Sequence, residues 1–164
     1  MQAYFILCIF GGMKPSETID FHIRWTWHKI ARMYNTEAAQ NDLSMSIGYA
    51  LLNIDQKDGT PSTHLGPKMG MEPRSMVRLL KTMEEKGYII RKPDSKDKRM
   101  VRLVLTPRGR EKREISRQTV ISFNEAIMGR ISKTKLKAFY EVISEINNIT
   151  EQGLPLNSKL RKTG

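Results

Sequence analysis

Arg74, Ser75 and Arg78 stand within little more than one helical turn of each other, directly after Pro73, and Lys81 follows close behind. A guanidinium can donate two parallel hydrogen bonds to the O6 and N7 edge of guanine, and a serine hydroxyl can bond a base or a phosphate. A second group, Arg91, Lys92, Lys96, Asp97, Lys98 and Arg99, lies a short way downstream and holds five cations in nine residues. Cations clustered in this way neutralise phosphates and release their condensed counterions. The chemistry on offer is recognition of a polyanion. A nucleophile–base–acid triad, a phosphate-cradling glycine loop and a carboxylate pair in a glycine-rich setting are all missing from the sequence. The expectation is a protein with no catalytic residues, no metal and no cofactor.

The charge distribution points the same way. The chain has 164 residues and a net charge of +11. Residues 61–117 hold 16 Lys/Arg against 7 Asp/Glu, a net of +9, and the rest of the chain holds 12 against 10. A field concentrated in one third of the chain suits a nucleic acid better than general solubility requires. Apolar residues at 39% and charged residues at 27% allow a packed core and argue against global disorder. No apolar run approaches the ~18 residues that cross a bilayer.

Other reactive side chains carry less. His22, His28 and His64 lack metal-ligand spacing; His22 and His28 are six residues apart, off one helical face. Cys8 is the single cysteine, which excludes an internal disulfide and fits a reducing cytoplasm. It lies among Leu7, Ile9 and Phe10, an apolar setting that raises a thiol's pKa and blunts redox sensing. Residues 1–12 lack the basic start and small-residue cleavage site of a signal peptide. Met13 as an alternative start, or an arm packed on a partner, both fit that segment.

The elements that must position these groups follow from periodicity. Ile23, Trp27, Ile30 and Tyr34 place one apolar stripe on a helix over 20–39. A second helix spans 43–54, capped by Ser44, and the turn at Asp58-Gly59 ends it. A short helix covers 62–68. Gly70 breaks the chain, and Glu72-Pro73 opens a helix that stops at Gly87, with Met76, Val77, Leu80 and Met83 as its buried stripe. Residues 88–91 and the alternating 101–105 form two strands around a polar loop, a β-hairpin. Thr106-Pro107 starts a long helix to about residue 130, and a last helix over 133–150 carries Leu136, Phe139, Ile143 and Ile146 at heptad-like spacing. The predicted fold is mainly α with a small β-hairpin wing. A winged helix-turn-helix lobe at 41–106 lies between an N-terminal dimerisation helix at 13–40 and C-terminal dimerisation helices at 107–151. A tail follows from 152.

Residues 43–116 resemble the MarR (multiple-antibiotic-resistance regulator) family. The resemblance rests on Ser75-Met76-Val77-Arg78-Leu79-Leu80, on Met83-Glu84-Glu85-Lys86-Gly87-Tyr88-Ile89, on Asp97-Lys98-Arg99 and on Leu105-Thr106-Pro107-Arg108-Gly109. It implies a dimeric, sequence-specific regulator, a repressor, that reads an inverted repeat in double-stranded DNA. Pro73, Arg74, Ser75, Met76, Arg78 and Lys81 become recognition-helix contacts. Arg91, Lys92, Lys96, Asp97, Lys98 and Arg99 become wing contacts, with Lys96 at the tip that enters the minor groove and Asp97 and Arg99 bracing it. The resemblance also implies release by a small molecule bound where the first helix meets the DNA lobe. Trp25, Trp27, His28 and Tyr49 are the candidate pocket residues, although Trp27 lies on the apolar stripe and favours packing. Three departures stand out. Gly66-Pro67 should shorten or kink its helix, Glu72 replaces a Ser/Thr-like cap, and Lys96 keeps a charge without the planar fork. The competing reading is a winged-helix module for protein contacts, which would have no need of Lys96, Lys98 and Arg99 at one tip.

Overall fold

The computed structural model describes residues 14–94 and 97–153. After a single 3-10 turn at Pro15–Glu17, helix α1 spans Ile19–Ala39 and α2 spans Met45–Asn53. Strand β1 is Thr60–Pro61, followed by α3 at Ser62–Met69 and α4 at Pro73–Glu85. Strands β2, Ile89–Pro93, and β3, Val101–Leu105, form the hairpin; α5 covers Pro107–Met128 and α6 covers Lys133–Gln152. The chain divides into two compact units, the first ending at Thr119 and the second beginning at Val120.

The first unit has one core. Ile47, Ala50, Leu51 and Ile54 of α2 and its C-cap meet Leu65 of α3, Met76, Leu80 and Met83 of α4, and Tyr88, Ile89, Leu103 and Leu105 of the sheet. Val77, expected in that stripe, is 63% exposed. The reason is angular: Met76, Leu80 and Met83 follow an i, i+4, i+7 line, and one residue past Met76 turns the side chain ~100° off it. Trp27 is likewise exposed within the chain rather than packed, because α1 contributes no buried residue.

Local chemistry sets the element ends. The Ser44 hydroxyl accepts the Ile47 N–H at 3.3 Å and caps α2. Pro67 does sit inside α3, and the helix stays short, ending at Gly70 in the left-handed conformation (φ 59°). Thr106 caps α5 by accepting the Gly109 N–H at 2.9 Å and donates to the Gly87 carbonyl at 2.7 Å. Gly109 passes so close to the Tyr88 backbone that an added Cβ would lie 1.9 Å from its carbonyl oxygen. The Leu-Thr-x-x-Gly pattern is therefore the joint between hairpin and helix.

The sheet has three antiparallel strands in the order β1-β3-β2, with Ile89 opposite Leu105 and Pro93 opposite Val101. The short strand β1, with Thr60 opposite Leu103, was not expected from the sequence. Two residues carry no period, and proline ordinarily demotes a strand. Here Pro61 lies on the edge of the sheet.

In the second unit α6 buries none of its residues. Ser132 caps it, accepting the Lys135 N–H at 3.4 Å, and Phe139, Tyr140 and Val142 are each more than half exposed.

Candidate nucleic-acid interface

Helix α3, the turn through Gly70 and helix α4 make the helix-turn-helix, and the β2–β3 hairpin makes the wing. Pro73 takes the first position of α4, where its missing N–H costs nothing. Glu72 precedes it without a side-chain cap, so the N–H groups of Arg74 and Ser75 have no capping partner from that residue. Arg74, Ser75, Arg78 and Lys81 are all exposed. Arg74 and Arg78 make no ion pair within the described residues, while Lys81 lies 3.7 Å from Glu85 in an exposed pair. Met76, expected among the contacts, is only 6% exposed and belongs to the core. Burial at the head of the i, i+4, i+7 line removes it from any groove-facing surface.

The wing divides into cations held inside the chain and cations that point outward. The Arg91 Nε donates to Glu84 at 3.0 Å, which ties β2 to α4 and occupies that guanidinium. Lys92, Lys98 and Arg99 are exposed and make no ion pair with the described residues. Lys96 lies outside the described residues. Asp97 does not pair with the Arg99 side chain; its carboxylate accepts the Arg99 backbone N–H at 2.9 Å.

The brace of the wing is a pair that sequence reasoning missed. Asp94 is 2% exposed, and Arg102 reaches it with Nε at 2.7 Å and a terminal nitrogen at 2.5 Å. Arg102 also donates to the Asp58 and Gly59 carbonyls, both at 3.2 Å. One guanidinium thus joins the hairpin loop to the turn before β1. The Asp94 carboxylate also accepts the Asp97 N–H at 3.2 Å, and Met100 closes the loop by donating to the Asp97 carbonyl at 2.9 Å. The available signal was the strand alternation: Arg102 interrupts an otherwise apolar strand.

A second cluster fixes α4 from behind. Asp42, in the left-handed conformation (φ 58°) between α1 and α2, receives the Lys86 ammonium from the end of α4. The Tyr88 hydroxyl lies 3.0 Å from the same carboxylate, and an Arg108 nitrogen 3.7 Å from it. The hydrogen bond from Lys86, reinforced by the one from Tyr88, holds the Asp42 carboxyl below the usual aspartate range. Burial, with Asp42 beside it, pushes the Tyr88 phenol up.

The four candidate pocket residues are less concentrated. Trp25, Trp27 and His28 are exposed on α1, and Tyr49 is half-exposed on α2. Trp25 and Trp27, two residues apart, point ~200° away from each other on one helix. Phe21 stacks on Trp25 at 6.1 Å, and the Lys29 ammonium sits 5.7 Å from the Trp25 ring. An open groove of about 510 Å³ lies elsewhere, on α6, lined by Lys133, Leu136, Lys137, Tyr140, Glu141 and Ser144.

Comparison with known proteins places this geometry. Residues 43–101 match the model of the MarR family. The transcriptional regulator TtmR of Methylorubrum extorquens is 28% identical over 103 residues, which cover 60% of this chain and 53% of TtmR. This chain thus aligns with about half the length of that relative. Among solved structures, the Staphylococcus aureus MepR–DNA complex superposes with a TM-score of 0.74 at 18% identity, over 80% of this chain and 97% of MepR. CouR from Rhodococcus jostii RHA1, bound to p-coumaroyl-CoA, gives 0.69 at 22% identity, over 80% and 92%. No helix among the described residues is long and apolar enough to cross a membrane. The helix-turn-helix and wing at residues 43–101 thus match the MarR family model, and the chain shares the winged-helix fold of these solved structures.

Proposed function

We propose that the chain is a cytoplasmic, non-enzymatic repressor that binds an inverted repeat in double-stranded DNA as a homodimer. The observation that carries this reading is the outward face of α4, where Arg74 and Arg78 are exposed beside Ser75 and make no ion pair among the described residues. Such a helix enters the major groove N-terminus first, so its first turns meet base edges. Lys92, Lys98, Arg99 and Lys96 then supply the wing's phosphate and minor-groove contacts. Arg91 has a lesser share, because Glu84 holds it.

Dimerisation has its own support in each unit. Helix α1 exposes Ile19, Ile23 and Trp27, and α6 exposes Phe139, Tyr140, Val142 and Ile149. A helix with no buried residue gains little from its own hydrogen bonds and needs a packing partner. A second copy supplies one, and a two-fold axis sets the half-sites about one helical turn apart. MepR was solved with DNA and CouR with an acyl-CoA, which supports the same two ligand classes here. A small effector would engage Trp25, Trp27, His28 and Tyr49 and favour a spacing of the two lobes that DNA does not accept. The pocket walls then come from more than one helix, since Trp25 and Trp27 face opposite sides of α1.

The test is fluorescence anisotropy of a labelled duplex from the region flanking the gene, titrated with the purified full chain at several salt concentrations. Tight binding to that duplex, with log affinity falling linearly in log salt, supports the reading. Affinity no higher than for scrambled duplex overturns sequence-specific recognition, and a monomer by light scattering at micromolar concentration overturns the dimer.

A further inference from the structure

Val77 is the one large apolar residue of α4 that faces solvent, at 63% exposure. It is not at the ragged end of the helix. It occupies the fifth position, between Met76 of the core and the exposed Arg78. At ~100° per residue, Val77 lies on one flank of the seam formed by Arg74, Arg78 and Lys81, and Ser75 lies on the other. Pro73, four residues earlier and also exposed, shares the Val77 flank. The outward face of α4 is therefore a cationic seam with an apolar edge on one side and a hydroxyl on the other.

A solitary surface valine needs no explanation in general. Position makes this one informative. A β-branched residue lowers helix propensity and holds a single strongly preferred rotamer, so Val77 presents two methyl groups in a fixed direction. In the major groove the one apolar group on any base pair is the thymine C5-methyl. Resting on the proposed DNA-binding function, we infer that Val77 is a specificity-determining residue that packs on the C5-methyl of one thymine in each half-site. Arg74 and Arg78 take the neighbouring base edges or phosphates. The apolar edge excludes cytosine at that step, because cytosine presents an unmethylated C5 and an amino group to the same space.

The experiment pairs a methyl deletion on each side of the contact. Full-length wild-type protein selects duplexes from a random pool, and each thymine of the selected half-site is replaced in turn by deoxyuridine, which removes only the methyl. One thymine per half-site should weaken wild-type binding roughly fourfold when demethylated, the worth of about one buried methylene. The same replacement should leave Val77→Ala binding unchanged. Alanine is a better helix former at an exposed site, so the variant keeps its fold, and an unaltered thermal melt verifies this. If the wild type discriminates sequence but no thymine shows methyl dependence, the assignment of Val77 is wrong and the DNA-binding reading stands. An equal demethylation effect in wild type and Val77→Ala has the same meaning. If the wild type enriches no sequence at all, the wider reading fails and this assignment fails with it.

Discussion

Arg102 ties the hairpin loop to the turn before β1, so its removal tests whether this side chain braces the wing. Arg102→Ala leaves the Oδ2 of the Asp94 carboxylate, 2% exposed, without the two guanidinium nitrogens that reach it, and takes a donor from the Asp58 and Gly59 carbonyls. Breaking one side of a buried ion pair costs ~3–5 kcal/mol, because the remaining charge stays desolvated. The Arg102 side chain keeps 26% of its exposure, so water relieves part of that cost. A loss of about 3 kcal/mol is the expectation, a large share of a typical ~5–15 kcal/mol stability. For a chain of this size it lowers the melting temperature by about 6–12 °C. Urea denaturation followed by tryptophan fluorescence and circular dichroism would read it as a lower midpoint at unchanged slope. The pairing itself is isolated by a cycle with Asp94→Asn: the double variant should lose clearly less than the two single losses added together. A loss below ~0.5 kcal/mol for Arg102→Ala, the size of an ordinary surface substitution, would refute the brace.

Asp42→Asn should reduce stability at neutral pH. The sign follows from a depressed folded-state pKa: the carboxylate's contribution is present above the ordinary aspartate value of ~3.9 and is lost as pH falls through the lower folded value. Melting curves of wild type and variant should therefore converge in acid and separate towards pH 7; a constant gap at every pH would contradict the argument. Gly109→Ala should fail to accumulate as folded protein, since its Cβ would meet backbone, 1.9 Å from the Tyr88 oxygen, and solubility with a far-ultraviolet spectrum checks this. Arg78→Ala should cost ~1–3 kcal/mol of DNA binding and relax preference at one base pair, whereas Lys96→Ala should weaken all sequences alike and lower the salt slope by about one. Identical, sequence-independent losses in the two variants would make Arg78 a phosphate contact.

Much of the fold was legible because its elements repeat their chemistry locally. The stripe of Met76, Leu80 and Met83 marks α4 at a helical period, Pro73 and Gly87 mark its ends, and Leu103 and Leu105 mark a strand at period two. The outward face of α4 follows as the complement of the buried one, which is how Arg74, Ser75 and Arg78 come to the surface. The same rule read too broadly placed Val77 in the core, whereas Met76, rightly put on the buried stripe, was also counted among the recognition-helix contacts. Helical period fixes a side chain's angle only relative to the centre of the buried stripe, and that centre is known only once the helix has packed. The stripe of α1 shows a different limit. Its period announces an apolar face correctly, but Trp27 is exposed, because periodicity says that a face seeks burial and not which molecule buries it.

What pattern reading did not reach are the ties between distant segments. Asp42 shows why. A left-handed φ at a non-glycine residue is uncommon, and aspartate is among the few that tolerate it. Glycine would hold the turn with less strain, but it would offer no carboxylate to Lys86 and Tyr88, which lie 44 and 46 residues further along the chain. Neither residue has a sequence neighbour that betrays the contact, since helical and strand periods compare positions two to four apart. Lys86 reads as an ordinary basic residue near the end of a helix, and Tyr88 as the start of a strand. Together with Asp42 they pin the C-terminal end of α4 and the start of the hairpin to the α1–α2 turn. A helix anchored at that end presents Arg74, Arg78 and Val77 from a fixed base, so the anchoring residues bear on the proposed recognition as much as the exposed residues do.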